Sequence, residues 1–143
     1  MEMTTTNKSR GAKPALHATV IYDDLDGATQ AAALLKQATT RADAATPCEV
    51  KPWRLDWLEH PELGAAAGAE AAGADLIVFA IRKTHSAPEK LMKWLENWAL
   101  HRRVRDAAVV LLSCGHAAVV SFGARIEQFA AWHQLTVLSD RPR

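Results

Sequence analysis

The run Leu76-Ile77-Val78-Phe79-Ala80-Ile81, entered through Ala74-Asp75, is apolar at every position. A strand with one wet face alternates apolar and polar residues. A strand that is apolar on both sides needs cover on both faces, as at the centre of a parallel sheet. Parallel neighbours cannot be joined by hairpins, so each further strand requires a crossover, most simply a helix. The rest of the chain supplies them. Residues 16–23 (LHATVIYD), 48–55 (CEVKPWRL), 107–113 (AAVVLLS) and 135–139 (LTVLS) read as strands. Residues 25–42, 61–73, 86–103 and 121–134 read as helices. Pro52 has no N–H for a ladder, which places 48–55 at an edge. Ser86 and Glu89 have the spacing of a capping box with Pro88 in the first turn. Gly64 and Gly68 weaken the helix over 61–73. Inward stripes are Ala28, Ala31, Leu35 and Ala38 on the first helix, then Leu91, Leu95, Trp98, Ala99 and Arg102 on the third. On the fourth they are Phe122, Ile126, Phe129 and Ala130. The order βαβαβαβαβ predicts an α/β fold, a five-stranded parallel sheet with helices on both faces.

Composition narrows the function classes. Lys plus Arg number 17 against 16 Asp plus Glu, so no basic field recruits nucleic acid or an anionic membrane. Cys48 and Cys114 stand far apart in the chain, without the spacing of a disulfide framework or a zinc site. The first residues are polar and lack a secretory apolar run, and no segment has the length of a membrane span. The expectation is a cytoplasmic protein with a disordered tail over 1–14 and one domain over 15–143.

The stretch GADLIVFAIRKTHSAPEKLMKWLENW (73–98) resembles the middle of flavodoxin-like proteins, above all the NAD(P)H-dependent FMN reductase branch. There an AD-x-I-V-F strand leads through a flavin loop to a helix with P-x-x-L-K-x-W-[ILV]-[DE]. Ala74, Asp75, Ile77, Val78, Phe79, Pro88, Leu91, Trp94, Leu95 and Glu96 stand at those positions, with Lys93 displaced by one. The preceding CEVKPWRLDWLEHPEL is similar to that branch's second strand and the acidic, aromatic segment after it. The likeness covers the middle third of the chain. It implies a three-layer flavodoxin-like fold with sheet order 2-1-3-4-5 and a ligand edge at the carboxyl ends of strands one, three and four.

That edge departs from the family's pattern in every turn. The first turn keeps Gly27 and Thr29, while Asp24 and Asp26 replace hydroxyl residues. The turn after the third strand reads Arg82-Lys83-Thr84-His85, and the turn after the fourth reads Ser113-Cys114-Gly115-His116. If FMN binds, its edge lies at Asp24, Asp26, Gly27, Thr29, Lys83, His85, Cys114 and His116. A phosphate at the first turn would gain charge-assisted bonds of about 1.5–3 kcal/mol each. A carboxylate at 4 Å opposes it by about 4 kcal/mol at an effective dielectric of 20. Response-regulator receivers share the sheet and also end their first strand in paired acids. Here, however, Ala80 falls where their phosphorylated aspartate belongs, and phosphoryl transfer needs that carboxylate.

Other constellations have two readings each. Asp23, Asp24 and Asp26 can hold a divalent cation, or cap the first helix. The absence of an oxygen-rich calcium loop favours the cap, and no metal site is assigned. Cys114 with His116 and His85 can form an activated thiol, but a cysteine at a strand end is more often packing, so Cys114 is expected to be non-catalytic. Of the five tryptophans, Trp94 and Trp98 lie on an apolar helical stripe and are assigned to the core. Trp53 and Trp57 are expected to be half exposed. His101, Arg102, Arg103 and Arg105 suit a helix C-terminus. GAAAGAEAAG lacks the spacing of a dinucleotide fingerprint. The function these residues favour is a non-catalytic binding or regulatory module that has lost FMN. The alternative is an FMN-dependent NAD(P)H oxidoreductase. Self-association to a homodimer is expected, through an exposed helix face or the Trp53/Trp57 edge.

Overall fold

The computed structural model describes residues 16–42, 48–82, 88–112 and 120–139. Five strands, β1 (Leu16–Tyr22), β2 (Cys48–Arg54), β3 (Leu76–Ala80), β4 (Ala108–Leu112) and β5 (Thr136–Ser139), alternate with four helices. These are α1 (Leu25–Ala42), α2 (Pro61–Ala71), α3 (Glu89–His101) and α4 (Val120–Trp132). A short 3-10 helix, Leu55–Glu59, precedes α2. All four strand pairs are parallel, in the order β2-β1-β3-β4-β5. This is the flavodoxin-like topology. None of the described helices is long and apolar enough to cross a membrane.

The pleat sends alternate residues of each strand into different cores. Ile21, Ile77, Phe79 and Val109 meet α2, α3 and α4, while Ala18, Val20, Tyr22, Val78 and Val110 share the other face with Ala31 and Leu35 of α1. The central strand is therefore dry on both sides, with Ile77, Val78 and Phe79 at most 1% exposed. Pro52 lies on β2, which pairs only with β1 among the described strands, the edge placement its missing N–H predicts.

The small residues of α2 have a packing reason. Trp94 and Trp98 of α3 lie against this helix, and their indole N–H groups donate to the carbonyls of Gly64 and Ala71, each at 2.9 Å. Both tryptophans are buried, as their stripe predicts, and a buried indole needs such an acceptor. Ala67 and Ala71, fully buried, let the rings approach.

Helix α3 begins later than the sequence spacing suggests. Pro88 occupies the N-cap with φ −63 and ψ 146, and no side chain caps the helix. The extended Pro88 sets the start of the helix at Glu89; Ser86 of the expected capping box lies outside the described residues. The helix ends at His101, because Arg102 is extended with ψ 141. Helix α4 closes with the chain reversal of a Schellman motif. Leu135 N–H donates to the carbonyl of Ala130 at 2.8 Å and Gln134 N–H to that of Ala131 at 3.2 Å. Gln134 takes the left-handed conformation, φ 58, that glycine usually fills.

Two glycines of α2 make opposite predictions. A Cβ on Gly64 would stand 2.7 Å from the carbonyl oxygen of Leu58, which is backbone and cannot step aside. A Cβ on Gly68 would meet only Trp94 Nε1 at 3.6 Å, an ordinary contact. Gly68→Ala should stabilise by about 0.5–1 kcal/mol through helix propensity. Gly64→Ala should destabilise by about 1–3 kcal/mol through overpacking. Urea unfolding of the two variants beside the parent checks both signs.

Candidate functional site

The described part of the ligand edge is built where β1 runs into α1 beside the end of β3. Three aspartates follow β1 closely, and each does something different. Asp23 accepts the backbone N–H of Arg82 at 2.9 Å, fastening the chain just past β3. Asp24 is the N-cap of α1. Its carbonyl accepts the first helical bond from Ala28 at 3.2 Å, and its carboxylate accepts the N–H of Gly27 at 2.9 Å. Asp26 is in the first turn of α1 with its carboxylate in solvent. The capping reading of the acidic turn is therefore the observed one, carried by Asp24.

Arg82 completes the arrangement. Its guanidinium lies 3.8 Å from the Asp24 carboxylate and 3.6 Å from that of Asp26. Its Nε is buried without a hydrogen-bond partner. Gly27 has a steric reason to be glycine: a Cβ there would stand 3.1 Å from the carbonyl oxygen of Ala80 and 3.3 Å from Arg82 Cδ. A side chain at this position would press on β3 and on Arg82, so the close approach of the helix start favours glycine. Among the described residues, three carboxylates stand against one guanidinium here, and the N–H of Gly27 already has its acceptor. Thr29, one turn into α1, faces solvent.

Of the residues assigned to this edge from sequence, Asp24, Asp26 and Gly27 are brought together. Lys83, His85, Cys114 and His116 lie outside the described residues. Sequence reasoning places Arg82 in the turn after the third strand but does not count it among the edge residues. Its signal is its place directly after β3, whose Ala80 pairs in register with Tyr22 at the end of β1. Among the described residues no group of three or more His, Cys, Asp or Glu could hold a metal ion.

The other candidates fall elsewhere. Cys48 begins β2, at the end of the sheet opposite this edge. Burial chiefly, and then the neighbouring Asp75, push its thiol above the ordinary value, while Lys36 pulls the other way. That is the environment of an unreactive thiol. Trp53 and Trp57 pack edge to face with ring centroids 6.1 Å apart, and Trp53 Nε1 donates to Glu70 at 2.6 Å. Both are partly exposed, as expected. The most exposed tryptophan is Trp132, at the end of α4 and 81% exposed, which no sequence motif singles out. Its signal is positional, since it falls three residues past Phe129 and off the inward stripe. Comparison of the chain with protein-family profiles, curated proteins and solved structures finds no match.

The cap makes a measurable claim. Asp24→Ala should cost about 1 kcal/mol, the usual loss on deleting a cap, whereas Asp24→Asn keeps the acceptor and should cost a few tenths. Thr29→Ala should be near neutral. Thermal unfolding of the three variants tests the order.

Proposed function

We propose that this chain is a derivative of the FMN reductase branch of flavodoxin-like proteins that no longer uses FMN and serves as a non-catalytic binding or regulatory module. The observation that carries the reading is the Asp24 cap. A phosphate seated at the start of α1 draws on free N–H groups and the positive end of the helix dipole. Here the Gly27 N–H is given to a carboxylate at 2.9 Å, and a second carboxylate, Asp26, sits in the same turn. An incoming phosphate would have to displace an anion already bonded and then remain beside it. Arg82 does not reverse the balance, because its guanidinium is shared between those two carboxylates.

The rival reading is an FMN-dependent NAD(P)H oxidoreductase with altered contacts, and Arg82 is the observation that favours it. A cation with an unsatisfied buried Nε stands at the turn where a flavin phosphate would lie. Rotated away from the aspartates, it would offer the bidentate donors a phosphate prefers.

The two readings separate on affinity. The freshly purified protein should show no flavin absorbance. Titration of FMN fluorescence should give a dissociation constant weaker than about 10 μM, near −7 kcal/mol. Tighter binding would mean that Arg82 outweighs the carboxylates, and the oxidoreductase reading would then replace this one.

A further inference from the structure

Helices α3 and α4 lie side by side on one face of the sheet, with a groove of about 540 Å3 between them. That is within the roughly 300–1,000 Å3 of small-molecule sites. Two polar contacts cross it. Arg125 lies 3.7 Å from Glu89, and His133 Nε2 donates to Glu96 at 2.9 Å. Glu89 and Glu96 stand about two helical turns apart, or about 10 Å at 1.5 Å per residue. The crossings therefore frame a short compartment. Buried Met92 and Phe129 form its floor, while Lys93 lines it from α3 and Gln128 from α4. Trp132, beside His133 in the chain, also lines it and is 81% exposed.

The polar groups of this compartment are not equally committed. Glu89 and Glu96 are each engaged by a basic side chain of the other helix. Lys93 and Gln128 are exposed, and among the described residues neither has an ion-pair or hydrogen-bond partner. We propose that the compartment binds a small, planar aromatic carboxylate. Its rings lie on the apolar floor of Met92 and Phe129 and pack against the open Trp132 indole. Its carboxylate accepts from the Lys93 ammonium and the Gln128 side-chain amide, the first a charge-assisted bond.

Size and charge select this class over others. A peptide helix, about 10 Å across with its side chains, would overlie both crossings and cover the compartment without filling it. Two fused rings and a carboxylate fit between the crossings. A cationic ligand would meet the Lys93 charge, while both carboxylates in reach are already engaged. A wholly apolar ligand would leave Lys93 and Gln128 unused and forgo the orientation that a few polar groups give. The compartment shares no residue with the turn of Asp24, Asp26 and Arg82, so the inference stands whether or not FMN binds there.

The test is nuclear magnetic resonance titration of the isotope-labelled full chain with 2-naphthoate. The signals followed are the Trp132 indole N–H and the Gln128 side-chain amide, each identified by its alanine variant. A ligand of about thirteen heavy atoms at ordinary efficiency binds at about 1 mM. Both signals should therefore shift and saturate with a dissociation constant of about 1 mM or tighter. The probe 2-naphthylmethylammonium, with the same rings and the opposite charge, should bind at least about tenfold more weakly. Lys93→Gln should weaken 2-naphthoate about tenfold and leave the ammonium probe unchanged, with unaltered far-UV circular dichroism. No saturation by about 10 mM overturns the proposal and leaves the groove to a peptide helix. Equal affinity for the two probes, or indifference to Lys93→Gln, overturns it as well. So do shifts confined to the backbone N–H groups of Gly27 and Arg82. A Trp132 signal that moves on raising the protein concentration alone assigns the groove to a second copy, and that too overturns it.

Discussion

The packing of α3 on α2 rests on two indole N–H groups that reach backbone carbonyls, and much of the larger core depends on it. Trp98 is the bulkiest of the fully buried side chains. A ring of that size with its N–H unpaired would be costly in the interior, so its position is set by the carbonyl of Ala71 as much as by shape. The carbonyl is reachable only because α2 is nearly without side chains. Gly64 is pressed against Leu58, and that contact joins the 3-10 helix to α2. The low-complexity run GAAAGAEAAG is thus a packing surface for tryptophan. The helix-propensity cost of Gly64 and Gly68 is offset by what the run lets the neighbouring helix bury.

The second constraint is at the carboxyl edge. Asp23 and Asp24 tie the end of β1 to the residue after β3 and to the start of α1. Arg82 bridges toward Asp24 and Asp26 from the β3 side. In a doubly wound sheet this crevice opens between strands whose crossovers leave in different directions, and it is where a ligand finds free N–H groups. Here two of the N–H groups at that crevice, those of Gly27 and Arg82, are held by side chains of the chain itself. Asp24 and Asp23 thus give them acceptors from within the chain.

The architecture was legible because the strands are nearly pure apolar runs and the helices have clear stripes. The two periods leave little ambiguity in residues 76–80 or 89–101. The details that escaped are those decided by tertiary contact. Residues 55–59 read as strand end and loop, yet they coil because Leu55 and Leu58 must both reach the core beneath α2. Gln134 gives no warning of a left-handed residue, since only the buried Leu135 beyond it makes that conformation worth adopting. At the edge, the three aspartates were visible, but their separate roles were not. One acid in such a turn looks like another until the strand register shows which faces the neighbouring chain. Arg82 was hidden for the same reason.

The carboxyl edge and the helical groove do not compete for the same surface. The edge opens at the strand ends, between the start of α1 and the exit of β3. The groove between α3 and α4 is lined by residues of those helices, Lys93, Glu96 and Trp132 among them. The core between them is close-packed, with Phe79 of β3 set edge to face on Phe122 of α4 at 5.5 Å. Arg82 follows the Phe79–Ala80 segment, on which α4 rests, by only two residues.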